Sequence, residues 1–398
     1  MRAGRSLSAS PGPGRRTGGL AETGRLKPFF EDRCPVSDSH KRVDAVVAAF
    51  ARGEMVVVTD DDDRENEGDL FVAASACTPE KMAFIIRHTS GIVCAPVSGD
   101  YARRLHLDPM VAHNDAPLGT AFTVSVDVKH GLTTGISAEE RSNTVRAMAN
   151  HNAGPGDFVR PGHVFPLIAR QGGVLMRTGH TEACVDLCRL AGLEPVGVLA
   201  ELMNENGTVM RGPEVSKFAA DHKLQQLSIA DLIAYRQARE KLVERVGEFT
   251  LASDIGQLNG YAYVTPFDKV HHMAFVYGRV GDGENVLARL HRADVIGDVF
   301  GGAHTIRAAL QRFKTDGRGV IIYLRDGTAG VPVAEIPQEG ATGTEQARTQ
   351  QWREIGVGAQ ILKDLGISSI RLLTTSRRTY VGLGGFGIEI TSHETLDS

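Results

Sequence analysis

Apolar residues recur along this chain at two spacings, and the switch between them marks out the elements. Val43, Val46, Val47 and Phe50 keep helical spacing behind a cap at Ser37 or Asp38, and Gly53 ends that helix. Residues 55–59, MVVVT, form a β-branched run that predicts a buried strand, and residues 70–74 predict a second. Thr78 followed by Pro79 opens a helix through Ile85 and Ile86, while HTSGIVC, residues 88–94, leads into a short strand. Residues 122–126 alternate as a strand does, and Ser137 with Glu140 forms a capping box for the next helix. An apolar run at 164–169, a helix carrying Val185, Leu187 and Leu190, and a strand over 195–202 follow. A helix is expected from about Ser228 to Val246, after which EFTLAS begins a new run of strands.

Composition narrows the class. The 398 residues are 42% apolar and 23% charged, as in a globular protein of two or three domains. A net charge of −4 gives no electrostatic case for nucleic acid or a membrane surface, and no apolar run approaches the roughly 18 residues of a membrane span. Residues 1–36 are rich in Arg, Gly, Ser and Pro and are expected to form a disordered tail. A loose basic tail or a misassigned start is the first reading of it, which expects a cytoplasmic protein; an organellar transit peptide is the alternative. The cysteines are Cys34, Cys77, Cys94, Cys184 and Cys188, an odd set without paired spacing, which indicates a reducing compartment. Cys184 and Cys188 lie four apart and are expected to share a core-facing helix surface.

Charge then concentrates between the first two strands. DDDDRENEGDL, residues 60–70, holds Asp60 to Asp63, Glu65, Glu67 and Asp69 in a loop tethered at both ends, with Arg64 as its one basic residue. Crowded carboxylates repel unless a cation or a proton relieves them, and hard oxygen ligands of this kind suit Mg²⁺. Farther along, RPGHVFP carries His163, and MRTGHTEA carries Arg177, Thr178, Gly179, His180, Thr181 and Glu182 at the mouth of a helix. Arg177 with the amides of Gly179, His180 and Thr181 makes a phosphate cradle. Glu201 interrupts an otherwise apolar strand. Each feature also has a bland reading: a solvated acidic turn, two structural histidines, a glutamate on a strand edge. The set as a whole could bind a metal and an anionic substrate while moving protons.

The motifs DRENEGD, HTSGIVC, TTGIS, RPGHVFP, GHTEA and LAELMNENG, in that order, resemble 3,4-dihydroxy-2-butanone 4-phosphate synthase of riboflavin biosynthesis over about residues 38–238. The resemblance implies an α+β mixed-sheet domain over 37–240, acting as a homodimer on a small sugar phosphate, with no nucleic acid and no membrane partner. The implied reaction converts ribulose 5-phosphate to 3,4-dihydroxy-2-butanone 4-phosphate and formate with Mg²⁺ or Mn²⁺, two ions per site. By position, Glu65 and His180 correspond to metal ligands, and His163 and Glu201 to the catalytic acid/base pair. Arg64, Asp69, Arg177, Thr178, Gly179, Thr181 and Glu201 correspond to substrate contacts. Glu67 is expected to shape the pocket, and Cys94 and Thr134 to line it. Residues 113–118, HNDAPL, depart from the small hydroxylated and aromatic residues expected of that loop.

Residues 247–398 resemble GTP cyclohydrolase II, an α/β domain, in GRGVIIYLR, IGVGAQILKDLGISSIRLLT and GLGGFGIEI. Its chemistry is missing. Asp294 stands where the family's first zinc cysteine follows a His-x-x, the later Cys-x-Cys is replaced by GGAHTIRAAL, and no cysteine occurs after Cys188. Asp294 and His304 are too few ligands for a zinc site. Residues 325–328, RDGT, replace a Gln-Glu-Gly-Arg stretch, and Gln351 stands for the catalytic aspartate although Arg353 remains. The domain is therefore expected to bind no zinc and to hydrolyse no GTP, leaving a structural or regulatory appendage in which Arg353, Arg377 and Arg378 keep a weak nucleotide-binding surface. Bifunctionality through a non-thiolate metal site and a non-catalytic scaffold are the competing readings.

Overall fold

The central strands of the first half bury apolar side chains on both faces, so their sheet must be covered by helices on each side. The computed structural model describes residues 38–60, 65–116, 118–266, 268–294, 296–300, 305–325, 356–375 and 387–396, all within one compact unit, Ser37–Ser398. The expected tail, together with Arg64, His304, Asp326, Gly327, Thr328, Gln351, Arg353, Arg377 and Arg378, lies outside the described residues.

The first half alternates helices α1 (Asp38–Ala51), α2 (Pro79–His88), α3 (Gly99–Arg104), α4 (Ala138–Met148), α5 (His180–Leu190), α6 (Pro213–Asp221) and α7 (Ile229–Arg239) with seven strands. These are β1 (Val56–Thr59), β2 (Gly68–Ala73), β3 (Cys94–Val97), β4 (Val126–Val128), β5 (Phe158–Ile168), β6 (Gly197–Glu201) and β7 (Gln225–Ser228). They form one mixed sheet in the order β4-β5-β3-β6-β2-β1-β7. Side chains alternate across it as the pleat requires. Val57, Leu70 and Val72 pack with Met82 and Ile85 of α2, Val145 and Met148 of α4, and Val215 and Phe218 of α6. Val56, Val58, Phe71, Cys94, Leu167 and Leu199 pack on the other face with Val43, Val46 and Phe50 of α1, Cys184, Leu187 and Cys188 of α5, and Leu232 and Ile233 of α7.

The second half holds β8 (Glu244–Ser253), β9 (Gly256–Thr265), β10 (Asp268–Tyr277), β11 (Val286–Arg292), β12 (Gly319–Leu324), β13 (Ser369–Thr374), β14 (Glu389–Thr395) and helix α8 (Thr305–Asp316). Its sheet runs β14-β13-β11-β12-β10-β9-β8, antiparallel on the β8 side and parallel from β12 to β14. Phe313 of α8 packs on one face, and Val357, Ile361 and Leu362, from a helix over 356–364, on the other. The expected α+β, two-domain architecture is the one found.

Two boundaries differ from the sequence expectation. The strand foreseen over 122–126 is displaced: Phe122 and Thr123 make isolated bridges to Leu167 and Pro109, and the regular strand is β4. The helix foreseen to Val246 stops at Arg239, because Glu240 turns extended and Glu244 already pairs with Val264. Gln360 of the second domain covers that helix end, accepting from Leu242 N at 2.6 Å and donating to the carbonyls of Gln237 and Glu240. The exposed backbone groups there are thus capped from a distant part of the chain, which no local pattern announces.

Arg236 of α7 is the main polar tie across the helical layer. It is buried, donates to Asp186 of α5 at 2.7 Å and to the Gly172 carbonyl at 2.8 Å, and pairs with Glu240. Removing it leaves the buried Asp186 carboxylate with only the Val174 amide and Arg189 at 4.0 Å. Arg236→Leu should lower unfolding free energy by about 3–5 kcal/mol in urea titrations. Lys217→Ala, at the exposed Lys217–Asp221 pair, should change it by less than about 0.5 kcal/mol.

Candidate active site

Strand parity brings the predicted residues together. Asp69 shares its face of β2 with Phe71, and it stands in register with Val58 on β1 and Glu201 on β6. Cys94 pairs with Leu199 on one side and Phe165 on the other, all on that same face. His163, two residues before Phe165, and Glu201, two beyond Leu199, therefore sit at one edge of the sheet on the face that α5 covers. His180 is the first residue of α5, and its ring meets Phe71 edge-on at 6.1 Å. One end of one sheet face thus collects Asp69, Glu201, His163 and His180.

The acidic loop is folded by one of its own members. Asp60, at the end of β1, accepts from Glu65 N and Glu67 N at 3.0 Å each, which holds the loop's far half over the sheet edge. Gly68, opening β2, has no room for a side chain: a Cβ there would stand 2.5 Å from Val215 of α6. The result is two overlapping ligand sets. Asp60, Glu65 and His180 offer atoms within 4.8 Å of one another, and so do Glu67, Asp69 and His180. His180 Nδ1 lies 3.5 Å from Glu65 Oε2.

Asp69 Oδ1 and His180 Nε2 are buried without a hydrogen-bond partner. A buried polar atom left unpaired is costly, and a cation between these groups would satisfy both. The residues therefore fit a hard divalent ion. Burial, with Asp69 and Glu65 close by, pushes the Glu67 carboxyl up to about 8. Burial pushes Asp69 up to about 7, with His180 opposing and Glu201 adding to the rise. Burial of His180 favours the neutral ring, but Asp69 and Glu65 outweigh it and raise its pKa to about 9.

The other predicted residues that the structure describes have contacts of their own. Glu201 accepts from Ser90 Oγ at 2.6 Å. Cys94 is buried, and burial with Glu201 and Asp69 nearby raises its thiol pKa, so it is a wall of the site rather than a nucleophile. Thr178 and Thr181 are buried beside Gly179, the N-cap of α5. Arg177 is a strap: it pairs with buried Glu182 at 2.7 Å and donates to the Leu118 carbonyl and Thr120 Oγ1. It thereby ties the start of α5 to the divergent loop, which Asn114 turns by accepting from Ala116 N and donating to the Thr120 carbonyl. Thr134 is exposed in the TTGIS loop, whose neighbours Thr133 and Gly135 both donate backbone N–H to Glu140.

One neighbour of His163 was not foreseen from the sequence. Asp127 lies on β4 between Val126 and Val128; those two face the α2/α4 core, so Asp127 faces the site. It accepts from His163 N at 2.8 Å and is 2.7 Å from His163 Nδ1. Aspartate in an alternating VSVDV pattern was the available signal, and nothing local tied it to a histidine 36 residues away.

In the second domain, Asp294, expected at the position of a zinc cysteine, is bonded within a local network. Asp298 Oδ1 is 2.8 Å from His291 Nε2, its Oδ2 accepts from Tyr323 OH and Asp294 N, and Asp294 Oδ1 accepts from Gly297 N.

Comparisons with known proteins follow this division. The 3,4-dihydroxy-2-butanone 4-phosphate synthase family model matches residues 44–235 and the GTP cyclohydrolase II model residues 244–395. The chain is 42% identical to the bifunctional riboflavin biosynthesis protein RIBA 1, chloroplastic, of Arabidopsis thaliana, over 98% of this chain and 74% of that protein. It is 43% identical to the monofunctional riboflavin biosynthesis protein RIBA 2, chloroplastic, of the same plant, over 90% and 78%. Among solved structures it is similar to RibBX, a two-domain 3,4-dihydroxy-2-butanone 4-phosphate synthase from A. baumannii, with 36% identity, a TM-score of 0.72, and coverage of 90% of this chain and 99% of that one. Among the described residues, no helix is long and apolar enough to cross a membrane.

The pKa shifts give a stability prediction. Asp69, Glu67 and His180 all hold their protons more tightly when folded, so each contributes stability that is present at low pH and lost as pH rises through its folded value. Metal-free protein should melt at a lower temperature at pH 8.5 than at pH 6. Mg²⁺ should raise the melting temperature more at pH 8.5, where the carboxylates must otherwise repel one another.

Proposed function

The chain belongs to the RibBA family of riboflavin biosynthesis proteins, a 3,4-dihydroxy-2-butanone 4-phosphate synthase domain fused to a GTP cyclohydrolase II domain, and its first domain is a synthase of that kind, a lyase. From that premise we propose that this domain turns ribulose 5-phosphate into 3,4-dihydroxy-2-butanone 4-phosphate and formate with a divalent cation, Mg²⁺ or Mn²⁺, and that the second domain has lost GTP hydrolysis. The observation that carries the first part is the pair of unpartnered buried atoms, Asp69 Oδ1 and His180 Nε2, inside the carboxylate cluster and on the same sheet edge as His163 and Glu201.

Glu65 and His180 would hold the cation, with Asp60, Glu67 and Asp69 completing its surroundings. A divalent ion held there would polarise the ketose carbonyl and so lower the barrier to removing the neighbouring carbon-bound proton. His163 and Glu201 then take and return protons through the skeletal shift that ends in loss of one carbon as formate. The amides at the start of α5 favour the phosphate end by their partial positive charge. Arg177, strapped to Glu182 and the 118–120 loop, holds that helix start against the loop rather than standing open at its mouth. Asp69 anchors the substrate side of the cluster; the substrate contact expected of Arg64 lies outside the described residues.

For the second domain, the absence of any cysteine after Cys188 supports loss of the zinc site. The bonds tying Asp294 and Asp298 to their neighbours support the same reading. The name of RIBA 2 describes a monofunctional relative, and that of the A. baumannii protein a two-domain synthase; both agree with a chain of this architecture working in one reaction. The bifunctional name of RIBA 1 favours the competing reading, in which a non-thiolate metal site hydrolyses GTP.

One assay addresses both halves, since each reaction releases formate. Ribulose 5-phosphate with Mg²⁺ should yield formate, chelation should stop it, and Glu65→Gln or His180→Gln should reduce the rate by about a hundredfold or more. GTP with Mg²⁺ or Zn²⁺ should yield none. Formate from GTP would establish the bifunctional reading, and none from the sugar phosphate would overturn the first.

A further inference from the structure

Glu201 is held by one residue at both its main chain and its side chain. Ser90, in the HTSGIVC turn, donates its backbone N–H to the Glu201 carbonyl at 2.9 Å and its hydroxyl to Glu201 Oε2 at 2.6 Å. A third bond settles the direction of the second. Ile92 N–H donates to Ser90 Oγ at 3.2 Å, which takes up a lone pair and leaves the hydroxyl hydrogen for the carboxylate. An ionised carboxylate can only accept, and this length is that of a charge-assisted O–H···O⁻ bond. Among the described residues no group bonds the other oxygen, Oε1.

The turn that carries Ser90 is fixed from two helices. Thr89, bridged to Leu202, donates its hydroxyl to the Ile85 carbonyl of α2 at 2.6 Å and accepts from Gly91 N at 3.3 Å. Arg141 of α4, itself buried, donates to the Gly91 carbonyl at 3.0 Å. Gly91 has φ +75°, so the chain reverses between Ser90 and Ile92 at a residue that tolerates it. Ser90 itself is exposed and belongs to neither core cluster of the domain, so what its side chain contributes is the hold on Glu201. A free glutamate side chain samples many rotamers, whereas proton transfer requires the oxygen in one place.

We propose that Ser90 is a positioning residue for the synthase reaction: by holding Glu201 Oε2 it presents Oε1 as the oxygen that takes and returns the substrate's proton. The proton moves from substrate to Oε1, its bonding pair stays on the substrate, and the same oxygen later gives the proton back. The Ser90 hydrogen stays on its own oxygen throughout, because Oε2 is an acceptor in the carboxylate and in the carboxylic acid alike. This assignment rests on the reading of Glu201 as a proton-transfer group.

Ser90→Ala and Ser90→Thr test it together, since the first removes the hydroxyl and the second keeps it. With ribulose 5-phosphate and Mg²⁺, Ser90→Ala should lower kcat for formate release by about tenfold to a hundredfold, with KM changed by less than about threefold. Ser90→Thr should recover kcat to within about fivefold of wild type. Equal loss of kcat in the two variants would overturn the proposal, because the hydroxyl would not be what matters. So would a loss in Ser90→Ala that appears in KM alone, or a fall in kcat of less than about tenfold. Glu201→Gln controls the premise. If it is as active as wild type, it is the proton-transfer role of Glu201 that fails; if it is inactive while Ser90→Ala is not, the hold by Ser90 alone fails.

Discussion

The structure turns on a repulsion. β2 lies between β1 and β6, and the register sets Asp69 beside Glu201 while β1 delivers Asp60 and the loop beyond it to the same edge. Burial denies these carboxylates the water that would screen them, and it raises the pKa of Asp69 and Glu67 rather than letting them ionise cheaply. Only a cation or bound protons can make that edge stable. The opening residue of α5, His180, is the one basic ring packed into the cluster among the described residues, and its Nε2 is still without a partner.

Holding such a cluster requires rigid surroundings, and the chain supplies them through acidic residues used as hydrogen-bond acceptors. Asp60 folds the acidic loop, Glu140 folds the TTGIS loop, Asp127 orients His163, and Glu182 anchors Arg177. Asp186 is bound by Arg236, whose helix end is in turn capped by Gln360 of the second domain. The second domain therefore touches the helical layer that presents His180, which gives it a structural connection to the first domain whatever ligand it binds.

Much of this was legible in the chain. The acidic loop between two β-branched runs, the Thr78 and Ser137 caps, and the Cys184/Cys188 helix face follow from local spacing, and each appears where the pattern put it. Strand register was not legible, because pairing β2 with β6 and β3 with β5 is a tertiary choice; the sequence could name Asp69, His163 and Glu201 without placing them on one face. Asp127 escaped notice for that reason. The end of α7 was misjudged because its terminal carbonyls are satisfied by Gln360, more than a hundred residues on. Arg177 shows a further limit: its sequence context announces a cation near a helix start, but only the folded loop reveals that Glu182, Leu118 and Thr120 occupy its guanidinium.

The central claim is that the acidic loop and His180 together form a hard-cation site in which the histidine is a ligand. Mn²⁺ bound to the protein and observed by pulsed electron paramagnetic resonance would test it most directly, since the spin reports nitrogen in the coordination shell. The account predicts one imidazole nitrogen coupled to the bound Mn²⁺, lost in His180→Gln and retained in His163→Gln. Tight Mn²⁺ binding with no nitrogen coupling, or with coupling that persists in His180→Gln, would contradict it.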